Sequence, residues 1–268
     1  MIERESRRED PHGRGDAARD ETAATPPHPV LEQYYARADD RQSFVGALFD
    51  GAARHYNRIG KMLDFGSGPW YRRDALRRGG LRPGMRLLDV AVGTGLVARG
   101  AVDILGKPGG VIGVDPSRGM LQEARKALSG PLVQGRAEAL PFRNGRFDML
   151  SMGFALRHVP DLEVAFREYW RVLKPGGRIL LLEVVRPSSP VSRWLVRTHF
   201  QRILPLMARI STRSEPAQLL MKFYWDTIDQ CVPPETILEV LRRTGFVAVD
   251  RHVFYGVINE YVAAKPPR

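Results

Sequence analysis

An apolar run ends in a glycine-rich turn near residue 90, and this combination is able to bind a small molecule. Residues 87–92 are mostly aliphatic, as expected for a buried parallel strand, and Gly93, Thr94 and Gly95 follow them. Glycines at such a crossover let the backbone approach a ligand, and the helix that comes next offers free N–H groups. The pattern predicts a ligand site, although an ordinary tight turn carries the same short motif.

A carboxylate closes the second predicted strand, twenty residues after Gly95. The run Val111–Asp115 is apolar up to Asp115, and this spacing is typical of an acidic residue that accepts hydrogen bonds from ribose hydroxyls. Residues 93–98 also fit the dinucleotide fingerprint. These two motifs alone are therefore compatible with a nicotinamide cofactor and with an adenosyl cofactor.

Composition restricts the class of protein. The 268 residues suffice for one α/β domain with its own core. Lys and Arg number 41 against 30 Asp and Glu, a net charge of +11. This charge indicates an anionic partner, either a membrane surface or nucleic acid, or else a solvated arginine-rich surface with no such partner. The single cysteine, Cys231, excludes an internal disulfide, no Cys/His cluster has metal spacing, and we expect a reducing, cytoplasmic location.

The segments before the glycine turn differ from the rest of the chain. Residues 1–29 are highly charged and poor in apolar groups, so we expect a disordered tail. Residues 30–80 predict a helical lid in which aromatic side chains lie among arginines. No stretch of the sequence is long and apolar enough to span a bilayer.

From residue 87 onward, predicted strands and helices alternate. Short apolar runs predict strands at residues 87–92, 111–115, 132–135, 147–154 and 179–185. Their spacing predicts an α/β fold, a doubly wound and mostly parallel sheet with helices on both faces. Residues 187–232 interrupt the alternation as a helical insert, and an antiparallel final strand completes one domain over residues 30–268.

Five motifs occur in a fixed order: Asp89-Val-Ala-Val-Gly-Thr-Gly95, Asp115-Pro-Ser, Ala137-Glu-Ala-Leu-Pro-Phe142, Phe154-Ala-Leu-Arg-His-Val159 and Arg171-Val-Leu-Lys-Pro-Gly-Gly177. Together they resemble the class I S-adenosylmethionine methyltransferases, and within that class the ubiquinone/menaquinone C-methyltransferase family. The resemblance covers residues 44–265. It implies a Rossmann-like fold, S-adenosyl-L-methionine as cofactor, and an enzyme that methylates a prenylated quinol or similar lipid-like acceptor at a membrane surface.

The resemblance also implies which residues bind the cofactor: Asp89, Gly93, Thr94, Gly95, Asp115, Arg136, Ala137 and Gly153. The glycine turn would approach the methionine part, Asp89 would order its amino group through the turn, and Asp115 would hold the ribose. Arg136 stands where the family usually has Asn or Asp. Because arginine has no acceptor for the adenine amino group, we expect it to stack on the ring instead.

Two neighbouring residues are the candidates for catalysis. Carbon methylation of a hydroquinone needs a base for the phenolic proton and a cation beside the resulting anion. Arg157 and His158 stand where the family has Arg-Asn, so Arg157 would be the cation and His158 the base, unless the histidine is a structural loop residue. A catalytic His158 should make turnover rise through a pKa of about 6 to 7.

Other acceptors and another class of function are compatible with the sequence. Since the insert sets acceptor choice, an O- or N-methyltransferase of a specialised metabolite or of a phospholipid amine is an alternative. A nucleic-acid-binding protein is a third interpretation, although the basic residues are dispersed and no nucleic-acid module is visible. The insert places apolar residues among arginines, which predicts binding to anionic vesicles; these apolar residues are Trp194, Leu195, Phe200 and Leu204.

Overall fold

A seven-stranded sheet organises the chain. The computed structural model describes residues 24–64, 67–184, 186–187, 189–206, 213–254 and 256–267. Its strands are β1 Leu87–Val90, β2 Val111–Asp115, β3 Leu132–Gln134, β4 Phe147–Gly153, β5 Leu173–Val184, β6 Val247–Phe254 and β7 Ile258–Ala264. The sheet order is β3-β2-β1-β4-β5-β7-β6, and β7 pairs antiparallel with both of its neighbours. This arrangement confirms the predicted doubly wound sheet.

Helices cover both faces of the sheet and its carboxyl edge. They are α1 Asp40–Asp64, α2 Gly68–Arg78, α3 Leu96–Leu105, α4 Arg118–Arg125, α5 Leu162–Val172, α6 Pro190–Thr198, α7 Glu215–Asp229 and α8 Pro234–Arg243. The Ser117 side chain caps α4 by accepting from the Met120 amide, and the Asp161 side chain caps α5 by accepting from the Glu163 and Val164 amides. Serine and aspartate are among the residues that favour this position, because their side-chain oxygens accept from the free amides of the first turn.

Alternating side chains of β1 supply two separate cores. Leu88 and Val90 face α5 and α8, whereas Leu87 faces α2 and α3 on the opposite side of the sheet. This division follows from the twofold alternation of a strand, and it explains why β1 is buried at every position. The sheet is thereby fixed from both sides, with its carboxyl edge free to form a site.

The predicted lid of residues 30–80 divides into two parts. In α2, Tyr71, Ala75 and Leu76 are buried in the core beneath the sheet, so this helix is a layer of the main domain and not a lid. The helix α1 instead packs with α7 and residues 31–35 in a third apolar cluster. Of the segment predicted to be a lid, therefore, only α1 has the position of a lid.

Part of the expected N-terminal tail is packed. Residues 1–23 lie outside the described residues. The Thr25 amide donates to Asp161, the Thr25 carbonyl accepts from Leu162, and the Pro27 carbonyl accepts from Val232. His28 is fully buried. The prediction of disorder through residue 29 was wrong for residues 25–29, because backbone hydrogen bonds to distant elements hold a segment whose composition alone gives no core.

The insert is helical, as predicted, and part of its apolar surface is exposed. After α6 the chain forms a wide turn of π-helix over His199–Ile203. Leu204 is buried against α7, whereas Trp194 and Leu195 face outward. No helix in the described ranges is long and apolar enough to cross a membrane.

Candidate functional site

A cavity of about 360 Å³ opens at the carboxyl ends of β1, β2 and β4. Its floor is the turn after β1, the end of β2 and the loop after β4, and α1 covers it from above. Ligands bind at this edge in open α/β sheets because the strand order reverses there. Of the ten residues that the sequence singled out, the cavity lining includes Gly93, Asp115, Arg136, Ala137, Gly153 and His158.

Asp115 is held in place by the glycine turn. One carboxylate oxygen accepts from the Gly93 amide at 2.8 Å and the other from the Ser117 amide at 2.9 Å. Burial raises the pKa of Asp115 to about 6, although these two hydrogen bonds favour the charged form. A carboxylate has about four lone-pair positions, so acceptor capacity is left for two hydroxyls of a ligand.

Close backbone approach explains two of the glycines. A Cβ on Gly153 would lie 2.6 Å from the Val97 side chain, and one on Gly95 would lie 2.6 Å from Leu128. Gly95 also has φ of 85°, which favours glycine. Gly153 borders the cavity directly. Gly95 packs against Leu128 on the side of the turn away from the cavity.

Two predicted cofactor residues lie behind the turn. Asp89 is buried, accepts from the Ser151 hydroxyl at 2.7 Å, and does not line the cavity. Burial raises its pKa to about 7, and its Oδ2 has no hydrogen-bond partner among the described residues. The Thr94 hydroxyl donates to Asn57 of α1 at 2.6 Å. The first hydrogen bond holds the strand that leads into the turn, and the second holds the turn against α1.

Arg136 reaches the lid. Its Nη1 donates to Gln42 of α1 at 2.6 Å, and Nε lies 3.6 Å from Glu138. The neighbouring Ala137 is buried in the main core and also borders the cavity. The Arg136 guanidinium thus joins the adenine end predicted from sequence to the first turns of α1.

Arg157 does not reach the cavity. Its guanidinium forms an ion pair with Glu183, and Nε donates to the Thr227 hydroxyl at 3.1 Å. Both members of the pair are 2% exposed. The prediction that Arg157 is a free cation beside the acceptor was wrong, since the Glu183 carboxylate neutralises it within the protein.

His158 does border the cavity, and aromatic rings surround it. Its imidazole stacks on Phe223 at 5.5 Å between centroids and meets Phe49 edge to face at 5.3 Å. Neither ring nitrogen has a hydrogen-bond partner in the described part of the chain. Burial, followed by the charges of Arg157 and Arg41, lowers the pKa of His158 well below its usual value. The ring is therefore neutral at physiological pH.

The attachment of α1 to the sheet edge was not predicted from the sequence. The Asp50 carboxylate accepts from the Ser117 hydroxyl at 2.5 Å and the Gly119 amide at 2.8 Å. With the Asn57 and Gln42 contacts, four hydrogen bonds among the described residues hold α1 over the cavity. No local motif marks Asp50 or Gln42, because their partners lie at least 67 residues away.

Comparisons with known proteins agree with this geometry. The sequence pattern of the ubiE/COQ5 methyltransferase family matches residues 36–265. A demethylmenaquinone methyltransferase of Lactococcus lactis is 30% identical over 214 residues, which are 77% of this chain and 83% of that protein. A ubiquinone/menaquinone biosynthesis C-methyltransferase UbiE of Shewanella is 31% identical over 220 residues, which are 80% of this chain and 86% of that protein.

Solved structures share the fold. A SAM-dependent methyltransferase of Thermotoga maritima matches with a TM-score of 0.59 at 22% identity, covering 82% of this chain and 99% of that one. Phosphoethanolamine N-methyltransferase 2 of Haemonchus contortus, in complex with S-adenosyl-L-methionine, matches with a TM-score of 0.53 at 19% identity, covering 73% and 52%. At these identities the likeness concerns the fold alone.

Proposed function

The chain belongs to the ubiE/COQ5 methyltransferase family and is an S-adenosylmethionine-dependent methyltransferase, and from this premise we propose that it methylates a ring carbon of a prenylated quinol. The observation that carries the proposal is His158, a neutral imidazole among aromatic rings at one end of the cavity. A flat aromatic acceptor fits such surroundings, and its hydroxyl would satisfy a ring nitrogen that has no partner among the described residues.

The residues present fit the adenosyl group. Asp115 keeps acceptor positions for ribose hydroxyls, and Gly93 and Gly153 offer bare backbone at the cavity wall. We propose that these residues, with Ala137 and Arg136 at the adenine end, hold the cofactor, and that Asp89 and Gly95 keep the turn in shape. When bound, S-adenosylmethionine supplies a methyl group on a positively charged sulfur.

His158 is proposed as the general base. The neutral ring accepts the proton of a quinol hydroxyl, which raises the electron density of the ring carbon ortho to the oxygen. After methylation that carbon loses its own proton and the ring becomes aromatic again, so one proton is released for each turnover. Both ring nitrogens of His158 are buried, which limits the access of water to the reactive anion.

The first prediction tests this base. His158→Asn should lower turnover with a demethylated quinol about 100-fold, because a positioned general base contributes on that order. Since the pKa of His158 lies well below its usual value, the wild-type rate should be flat from about pH 6.5 upward and fall only at lower pH. This replaces the pKa of about 6 to 7 expected from the sequence.

The matched control is His252→Asn, which changes an exposed histidine on β6. Both variants should bind S-adenosylhomocysteine as the wild type does, measured by calorimetry. Mass spectrometry of the product should show one added methylene unit on the quinol. If His158→Asn keeps the wild-type rate and pH profile, the histidine is a loop residue and the base lies elsewhere.

We also propose that the exposed face of the insert docks on a lipid surface that carries the acceptor. Val191, Trp194 and Leu195 of α6 are 68%, 63% and 55% exposed. Ile203 at the end of the π-helical turn and Leu206 after it are also exposed. The α6 helix follows β5 at the carboxyl edge of the sheet, the edge at which the cavity opens. A face of this kind marks an interaction site.

A second prediction follows for vesicle binding. Flotation should show the protein on anionic vesicles, and a Trp194→Ser/Leu195→Ser double variant should lose most of that binding. Trp170→Ser is the control, since Trp170 is also exposed but lies near the amino end of β5. Because Arg193 is paired with Asp229, we expect insertion of apolar groups to contribute more than Arg193 does. Equal loss in both variants would contradict the docking face.

A further inference from the structure

Arg41 is a buried cation that has no counter-ion among the described residues. It lies in the first turn of α1 and is 2% exposed. Its guanidinium donates to backbone carbonyls, to His28 at 2.8 Å and to Val159 at 3.3 Å, and its Nε has no partner among the described residues. Across the same residues, no carboxylate lies within ion-pair distance of Arg41. Its positive charge is therefore uncompensated.

The contrast with Arg157 identifies which arginine is available to an anion. Arg157 is equally buried, but its charge is cancelled by Glu183. Burial of an unpaired charge is strongly unfavourable, so an opposite charge that arrives with a ligand would be stabilised beside it. Arg41, and not Arg157, thus meets the requirement for a cation that acts on the acceptor.

The position of Arg41 directs its electrostatic field into the end of the cavity at His158. It bonds the carbonyl of Val159, which borders the cavity directly after His158, and the next two residues of α1, Gln42 and Ser43, also border it. His28 lies between Arg41 and the loop after β4, and burial lowers its pKa to about 4, so it adds no charge at neutral pH. The net charge of this group of side chains is positive.

We propose that Arg41 makes the His158 end of the cavity an anion site, and that the acceptor is held there as its ring oxyanion. This inference rests on the proposed quinol acceptor. Arg41 is a positioning residue in this account, because its guanidinium acts through its field behind the Val159 carbonyl and does not line the cavity. The field of a buried guanidinium is screened less than that of an exposed one, because the protein interior has a lower dielectric constant than water.

Two naphthoquinones of the same shape test the inference by binding alone. In 2-hydroxy-1,4-naphthoquinone the acidic enol is ionised at neutral pH, whereas 2-methoxy-1,4-naphthoquinone is neutral. With the cofactor site filled by S-adenosylhomocysteine, the wild type should bind the anion at least tenfold more tightly, and the visible band of the anion should shift. Arg41→Gln should abolish the preference for the anion, whereas Arg41→Lys should retain most of that preference.

The control and the contrary outcomes are distinct. Arg37→Gln removes an exposed arginine one turn earlier and should change neither affinity. Equal binding of both naphthoquinones to the wild type, or an anion preference that survives Arg41→Gln, would overturn the anion site while leaving a quinone acceptor intact. Binding of neither compound would overturn the proposed acceptor as well. If Arg41→Gln does not fold, the wild-type preference and the behaviour of Arg41→Lys decide the question.

Discussion

At the residue scale, the chemistry of the cavity depends on which buried charges are compensated. Glu183 is 2% exposed and accepts from both the guanidinium and the backbone amide of Arg157. It thereby ties the loop after β4 to the end of β5. The same pairing withdraws Arg157 from the acceptor and leaves Arg41 as the uncompensated cation beside His158.

The third prediction concerns this ion pair. Glu183→Gln should lower the free energy of unfolding by roughly 3 to 5 kcal/mol, because Arg157 is left as an unpaired buried charge. Denaturant unfolding measures the change. Glu235→Gln is the control, since its pair with Arg251 is exposed and should contribute less than about 1 kcal/mol. A similar small loss in both variants would show that the Arg157 charge finds water or another partner.

The fourth prediction tests the ribose carboxylate. Asp115→Ala should weaken binding of S-adenosylhomocysteine by roughly 2 to 4 kcal/mol, since two charge-assisted hydrogen bonds are lost. The variant also releases the Gly93 and Ser117 amides. Calorimetry should therefore be paired with a melting curve, which separates lost ligand contacts from a loosened turn. Unchanged affinity would place the ribose elsewhere.

Sequence predicted the residue types of the site better than their partners. Gly93, Asp115 and Gly153 border the cavity because Asp115 and Gly153 end their strands at the carboxyl edge and Gly93 follows β1 there, and that position is set by local pattern. Arg157 was assigned to the acceptor from the family resemblance, whereas its partner Glu183 lies 26 residues away on β5. A pairing between a loop and a distant strand leaves no periodic trace in the sequence, and the same holds for Arg41 and the carbonyls that it bonds.

At the element scale, α1 determines whether the cavity is closed. Asp50 accepts from the Ser117 hydroxyl at the N-cap of α4 and from the Gly119 amide in its first turn, so one lid residue joins α1 to the segment that follows Asp115. A carboxylate at this position also interacts favourably with the helix N-terminus. The lid is thus attached at the point where the cofactor ribose is expected.

The fifth prediction follows from that attachment. Asp50→Ala should lower stability by about 1 kcal/mol, the usual effect of losing a helix cap, and should speed the dissociation of S-adenosylhomocysteine. Stopped-flow fluorescence measures the dissociation rate. Asp39→Ala, which changes an exposed side chain just before α1, is the control. An unchanged rate would mean that α1 does not move during cofactor exchange.

Element boundaries followed the sequence where caps and glycines mark them. The helix α3 spans Leu96–Leu105 and has a glycine at each end. The strand β5 begins at Leu173, earlier than predicted, because Leu173 already pairs with Phe147 of β4, and the register then shifts so that Arg178 lies opposite Met149. The placement of α2 under the sheet also escaped prediction, since a helix pattern states which face is apolar but not which partner it covers.

At the scale of the whole molecule, much of the positive charge is balanced locally. Arg78, Arg171 and Arg243 each pair with a glutamate, so the net charge of +11 is not concentrated in those residues. What varies with pH is instead the set of buried groups around the cavity. His28 and His158 have lowered pKa values, whereas Asp89 and Asp115 have raised ones.

These two sets act on stability in opposite directions. The folded pKa of His28 is about 4 against 6.5 in the unfolded chain, so the unfolded state binds the proton first and stability is lost as pH falls from 6.5 to 4. The folded pKa of Asp89 is about 7 against 3.8, so the folded state keeps the proton and stability is lost as pH rises from about 4 to 7. The two slopes partly cancel in the wild type, and each should appear when the other is removed.

Paired variants test this balance by their difference from the wild type across pH. For His28→Gln, the free energy of unfolding relative to the wild type should increase by up to roughly 3 kcal/mol as pH falls from 6.5 to 4, at about 1.4 kcal/mol per pH unit. For Asp89→Asn, the corresponding difference should increase by up to roughly 4 kcal/mol as pH rises from 4 to 7, and the new amide oxygen is able to accept from Ser151. Denaturant unfolding at one-unit pH intervals measures both slopes, and the packing effect of each substitution cancels because it does not depend on pH. Parallel curves for a variant and the wild type would show that the group titrates alike in the folded and unfolded chain, and that water relieves its burial.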